Sequence, residues 1–178
     1  MTAFSVANLP RIPWNVTWSA EEKFEVRPCR WADMRRAIWQ PHRPGVGAPI
    51  YKKPHNVRQR MGVQKMLCSH CGLPTAKGKR WWFGLGRFID EGYYTTVDLP
   101  MHKECADLSL KMCPVLRSYG DEPMPWPEGA VIMFQIVGGP KVTEDFGIVS
   151  SPDNPVVGHL KFAWPESHVK FKVREIAA

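Results

Sequence analysis

MHKECADLSLKMCP, residues 101–114, places one histidine and two cysteines in a short stretch whose reading decides the fold. Pro100 suits a first helical turn. Met101, Cys105, Leu108 and Met112 then recur at spacings of four, three and four, which predicts a helix from Pro100 onward. On that helix His102 and Cys105 lie three apart, on one side of the first turn. Upstream, LCSHCGLP (67–74) sets Cys68 and Cys71 two residues apart with Gly72 directly after. That is the geometry of a tight turn whose backbone amides face the sulfurs. A lone CxxC leaves a redox pair or buried apolar thiols as alternatives. A matching HxxC at hairpin distance favours zinc.

Between the two pairs lies KRWWFGLGRFIDEGYYTTVD. Residues 81–83 and 93–97 read as short strands joined through turn material around Gly84, Gly86 and Gly92. The order of knuckle, hairpin and helix resembles the treble-clef class of zinc modules. The resemblance implies a structural zinc held by Cys68, Cys71, His102 and Cys105. Four protein ligands close a tetrahedral shell to water and substrate, so the zinc is expected to be structural rather than catalytic. The CxxCG knuckle, aromatic hairpin, HxxCA helix and final Cys-Pro are also similar to small uncharacterised zinc proteins of actinobacteria and their phages. That likeness implies a bacterial or phage source and no particular activity.

The remaining thiols fit the site less well. Cys113 lies eight residues past Cys105, about 12 Å along a continuous helix, and Pro114 ends that helix. Cys29 has no paired ligand nearby. Both read as buried residues. His70, inside the knuckle, is expected to point outward.

The chain has 178 residues, 44% hydrophobic and 23% charged, which argues against disorder. Its formal charge is +7, unevenly spread. Residues 1–67 hold 12 basic and 4 acidic residues, a balance of +8, whereas residues 121–178 hold 5 and 8, a balance of −3. A basic front suits a protein that turns one face to a polyanion. No apolar run approaches the roughly 20 residues of a membrane span. MTAFSVANLPRIPWNV lacks the basic start and apolar core of a secretory signal, so a cytoplasmic location is expected.

The expected class is α+β, in three segments. Residues 1–66 form a basic, proline-rich region with one helix over CRWADMRRAIW, where Trp31, Met34 and Ile38 share a face. QPHRPGVGAPIYKKPHN reads as an extended, turn-rich connection. Residues 67–120 form the treble-clef-like module. Residues 121–178 form a β-rich region: VIMFQIV reads as a strand buried on both faces, and VVGHLKFAW and HVKFKVREI as further strands of a small antiparallel sheet.

Arg58, Arg60 and Lys65 precede the knuckle, while Lys77, Lys79 and Arg80 follow it, with Trp81 and Trp82 next in line. Basic residues beside an exposed aromatic engage phosphates and stack on an unpaired base. Arg58, Arg60, Lys65, Lys77, Lys79, Arg80 and Trp82 are therefore the candidate surface for DNA or RNA. The same residues also suit a solvated face with tryptophans used in packing. The favoured function is a zinc-stabilised nucleic-acid-binding or regulatory protein. The alternative is a protein–protein interaction factor of phage or host-takeover type. A metal-dependent nuclease comes next, weakened because KRWWFGLG lacks the hairpin histidine that such a site needs. No phosphate loop, dinucleotide fingerprint, HExxH or GxSxG is present, and no catalytic residue is assigned.

Overall fold

VVGHLKFAWP is dense in β-branched and aromatic residues, and it forms the longest strand, β10 (Val156–Pro165). The computed structural model describes residues 11–120 and 122–175. The expected absence of a signal at residues 1–10 falls outside them.

The strands that precede β10 in the chain are β1 (Val16–Trp18), β2 (Glu25–Cys29), β3 (Arg35–Trp39), β4 (Pro49–Pro54), β5 (Trp81–Trp82), β6 (Leu85–Ile89), β7 (Tyr93–Thr96), β8 (Met124–Pro125) and β9 (Val131–Val137). β11 (Arg174–Glu175) follows. The helices are α1 (Asn56–Lys65), α2 (Lys103–Met112), α3 (Pro114–Ser118) and α4 (Pro140–Phe146). β10 centres a seven-stranded mixed sheet in the order β11-β6-β7-β10-β3-β2, with β9 also paired to β10. One edge of β10 takes β9, antiparallel from Val156↔Val137 to Ala163↔Val131. Its other edge takes β7 antiparallel and, at Val157↔Ala37, β3 in parallel. β1–β4 and β5–β8 form two-stranded sheets.

The sheet's core is aromatic. Trp82 packs against Trp126 and Trp164 with ring centroids 5.1 and 5.4 Å away, and Tyr94, Phe162 and Leu160 complete the layer. Offset and edge-on arrangements of this kind suit ring quadrupoles as well as burial.

Helix α1 fastens this layer by polar side chains. Gln59 Nε2 donates to the carbonyls of Val97 and Leu160, and its Oε1 accepts from the Leu160 amide. Arg60 donates to the carbonyls of Gly158 and Ile38. Gln40 Oε1 accepts from the backbone and side-chain nitrogens of Asn56. A helix inside a core normally presents an apolar stripe. Here buried polar side chains replace it, which is tolerable because the Gln59 amide and the Arg60 terminal nitrogens meet carbonyls.

Several expectations are corrected. CRWADMRRAIW is not a helix: it is the end of β2, a 3-10 turn over Arg30–Ala32 and β3. Asp33 and Met34 both take left-handed backbone, at φ 51° and 57°, which breaks any right-handed helix there. Met34, placed by the spacing on the inner face, is 64% exposed. VIMFQIV is a strand, but Val131, Ile132 and Ile136 are exposed, because β9 lies at the sheet margin. Among the described residues of HVKFKVREI only Arg174–Glu175 pairs, and it runs parallel to β6. The hairpin partner of β7 is β6 rather than residues 81–83. β5 instead pairs β8 and bridges Met101 just before α2.

Candidate metal centre

Each ligand pair is set by local structure. Gly72, at φ 74°, closes the knuckle: its amide donates to the Cys68 carbonyl and the Cys68 amide donates to the Leu73 carbonyl. The Cys68 sulfur accepts from the Cys71 amide, and the Cys71 sulfur from the Leu73 amide. His102 is the N-cap residue of α2, and Cys105 lies in that helix's first turn. The β5–Met101 bridge and the bond from the Ser69 amide to the Pro100 carbonyl dock the helix start on the knuckle.

The four donor atoms lie within 4.8 Å of one another. His102 Nδ1 is 3.4 Å from Cys71 Sγ and 3.9 Å from Cys105 Sγ. A tetrahedral zinc with ordinary bond lengths gives S···N edges of about 3.5 Å and S···S edges of about 3.8 Å. His102 Nε2 lies 3.1 Å from the Pro74 carbonyl. Donation there fixes the tautomer that leaves the Nδ1 lone pair aimed at the sulfurs, the usual outer-shell arrangement of a ligating histidine.

Electrostatics select the same ion. The Cys68 thiol is driven far below its usual range, first by Cys105 and then by Cys71, whose S–H groups donate to it. Cys105 is pushed far up, chiefly by Cys68. The His102 imidazole is held above its usual value by Cys68. Three thiolates this close repel one another, and a divalent cation among them removes the conflict. Soft thiolates with one imidazole in a small tetrahedron are the donor set of a structural Zn²⁺ site. Among the described residues no second group of three or more His, Cys, Asp or Glu is arranged to hold a metal.

His70 does not point outward. It is buried, with Nδ1 3.1 Å from Ser109 Oγ on α2, and its carbonyl accepts from the Trp14 amide at 2.7 Å. Cys113 is half-buried and caps α3, and Cys29 is half-buried at the end of β2.

The seven candidates for nucleic-acid contact separate. Arg58, Arg60 and Trp82 are each no more than 1% exposed and cannot touch an external ligand. Arg58 grips Glu21 through Nη1 and Nη2, both at 2.7 Å. Arg60 serves the sheet carbonyls, and Trp82 fills the aromatic core. Arg80 is half-buried and donates to Thr75. Lys65, Lys77 and Lys79 are exposed. His55 lies 3.9 Å from Glu21, a pairing that invites a catalytic reading. Both are fully buried, however, and their bonds are taken. His55 Nδ1 accepts from the Arg58 amide and Nε2 faces the Pro41 carbonyl. Glu21 also accepts from the Trp18 and Arg43 amides. This group is a structural lock.

The sequence reading missed the surface hairpin of β2 and β3. Arg30 and Lys65 both lie over the half-buried Trp31 ring, at 4.4 and 5.1 Å. Arg35 lies over Phe134 at 4.4 Å and sits opposite Cys29, the neighbour of Arg30. Lys65 leads into Met66, whose carbonyl accepts from the Thr75 amide and hydroxyl, which brings the turn bearing Lys77 and Lys79 alongside. The visible signal was the adjacency of Arg30 and Trp31.

No protein family, curated protein or solved structure gives a significant match to this chain. Among the described residues no helix is long and apolar enough to cross a membrane.

Proposed function

We propose that this is a nucleic-acid-binding protein whose treble-clef-like zinc module is structural and whose contact surface is the basic stripe Arg35, Arg30, Lys65, Lys77 and Lys79. The stripe carries the reading. All five side chains are exposed and none is ion-paired among the described residues. Arg30 and Lys65 are held over Trp31, so less side-chain freedom is lost when a phosphate arrives. Phosphate contacts of this type supply affinity and little sequence preference.

The test is fluorescence anisotropy of the zinc-loaded protein with mixed-sequence single-stranded and duplex oligonucleotides over a salt series. Log affinity is expected to fall linearly with log salt, with a slope near −0.7 to −0.9 per phosphate engaged. R30E/K65E should weaken binding by at least about tenfold and flatten the slope by about two contacts. Absent or salt-independent binding, or an R30E/K65E variant that binds like the wild type, removes this function.

A further inference from the structure

The large sheet ends in three margins, and they are treated differently. β11 is only two residues long. β2 carries Glu25, Arg27 and Pro28, with Arg27 ion-paired to Glu25, so charge and a missing N–H blunt it. β9 has no such protection. Its seven residues, VIMFQIV, contain no charge, proline or glycine, and among the described residues only β10 pairs with it. Val131 and Ile136 are each 49% exposed, and Ile132 is 42% exposed. A long apolar edge of this kind is a template for another strand.

The sequence of β9 identifies which strand. Read from either end it is nearly the same: Val131 matches Val137, Ile132 matches Ile136, Met133 matches the similarly long Gln135, and Phe134 is the centre. A two-fold axis requires one surface to complement itself. We propose that β9 docks on β9 of a second copy of this chain, antiparallel about an axis at Phe134. Ile132 then faces the partner's Ile136, Val131 faces the partner's Val137, and no charged pair is buried. Like side chains meet across the strands, as stable cross-strand pairs do. The seven-stranded sheets become one continuous sheet, and the closed symmetry limits growth to two chains. Arg35, stacked on Phe134, approaches its symmetry mate near the axis. Added salt screens that repulsion and therefore favours the dimer, the opposite of its effect on phosphate binding. The proposal does not depend on the nucleic-acid reading.

A single seven-residue edge is small beside the roughly 1,600 Å² of a standard interface, so a dissociation constant on the order of micromolar is expected. Sedimentation velocity of the zinc-loaded chain over a dilution series tests this. The expected result is a reversible shift between one chain of 20.3 kDa and two. I132K/I136K sets like charges opposite each other at both contacts and should remain a single chain throughout, with an unchanged far-ultraviolet circular dichroism spectrum. I132K/I136E sets opposite charges across the axis and should restore the dimer. A wild type that stays a single chain overturns the proposal, as does growth beyond two chains. Association insensitive to I132K/I136K, or I132K/I136E no better than I132K/I136K, overturns it equally.

Discussion

Replacing Arg58 with methionine is expected to cost stability and to leave the proposed phosphate-binding surface untouched. Glu21 and Arg58 are fully buried and joined by two bonds of 2.7 Å. Arg58 also donates to the Val16 carbonyl at 2.5 Å. In R58M the carboxylate keeps the amides of Trp18 and Arg43 but loses its cation. Attraction between unit charges about 4 Å apart at a protein's effective dielectric is about 4 kcal/mol. Stripping one partner from a buried pair characteristically costs about 3–5 kcal/mol. Against a typical total of about 5–15 kcal/mol, that is a large fraction. The assay is urea unfolding of the zinc-loaded protein, followed by tryptophan fluorescence and circular dichroism. E21Q/R58M should lose less than R58M, because no anion is stranded. The deficit of R58M should also shrink at mildly acidic pH. Glu21, still buried but freed of the Arg58 bond that holds its carboxyl down, can then take up a proton itself and shed the stranded charge. A loss in R58M under about 1 kcal/mol, the range of exposed pairs, would show that Glu21 is not locked as argued.

Acid should destabilise the wild type in a defined window. Burial lowers the imidazoles of His55 and His159 from 6.5 to about 4, so the unfolded chain binds more protons between those values. The contribution of these two histidines is fully present above pH 6.5 and is lost toward pH 4, by about 3 kcal/mol for each. H55N, which keeps a capping side chain, should flatten the slope in pH-dependent urea titrations; an unchanged slope refutes the assignment. Elemental analysis should find one zinc per chain, and C105S should lose it, with unfolding of the module on the scale of the about 10–16 kcal/mol measured for zinc-finger peptides. Full zinc content in C105S would exclude that ligand. G72A forces a side chain into left-handed backbone and within 2.7 Å of the Trp14 ring. Zinc release to a competing chelator should accelerate at least tenfold, or about 1.4 kcal/mol; wild-type release would show that the knuckle tolerates the change.

The metal ligands were legible because each pair is fixed over four residues. A knuckle sets Cys68 against Cys71, and a helix turn sets His102 against Cys105. The run that forms β10 was legible for the same local reason. What failed was decided at a distance. VRQRMGVQK looks like a solvated basic stretch because its partners, Glu21, Ile38, Val97, Gly158 and Leu160, are mostly backbone carbonyls scattered through the chain. Nothing in the periodicity of α1 announces them. His70 turns inward because Ser109 waits on α2, 39 residues away in sequence. In CRWADMRRAIW apolar spacings fit a helix by coincidence, and the turn at Asp33 and Met34 overrides them. The apolar run of β9 reads as doubly buried, whereas its chemistry belongs to a sheet margin.

These non-local contacts give α1 its place in the proposed function. Its first turn is held by His55 as cap and by the Arg58–Glu21 lock. Its last residue, Lys65, is followed by Met66 in left-handed backbone at φ 50°, and the chain enters the zinc knuckle two residues later. Each end of a short polar helix is thus anchored by a different device, one ionic and one metallic. Isolated helices of ten residues are marginal in water, so both anchors stabilise it. The basic stripe crosses the metallic end. Arg30 and Lys65 lie before the knuckle, while Lys77 and Lys79 lie beyond it. The zinc shell fixes the chain between them, through Thr75 on Met66 and His102 on the Pro74 carbonyl. A structural metal can therefore set the spacing of the cations that we propose meet phosphate, which is how Zn²⁺ without an open coordination position would bear on that binding.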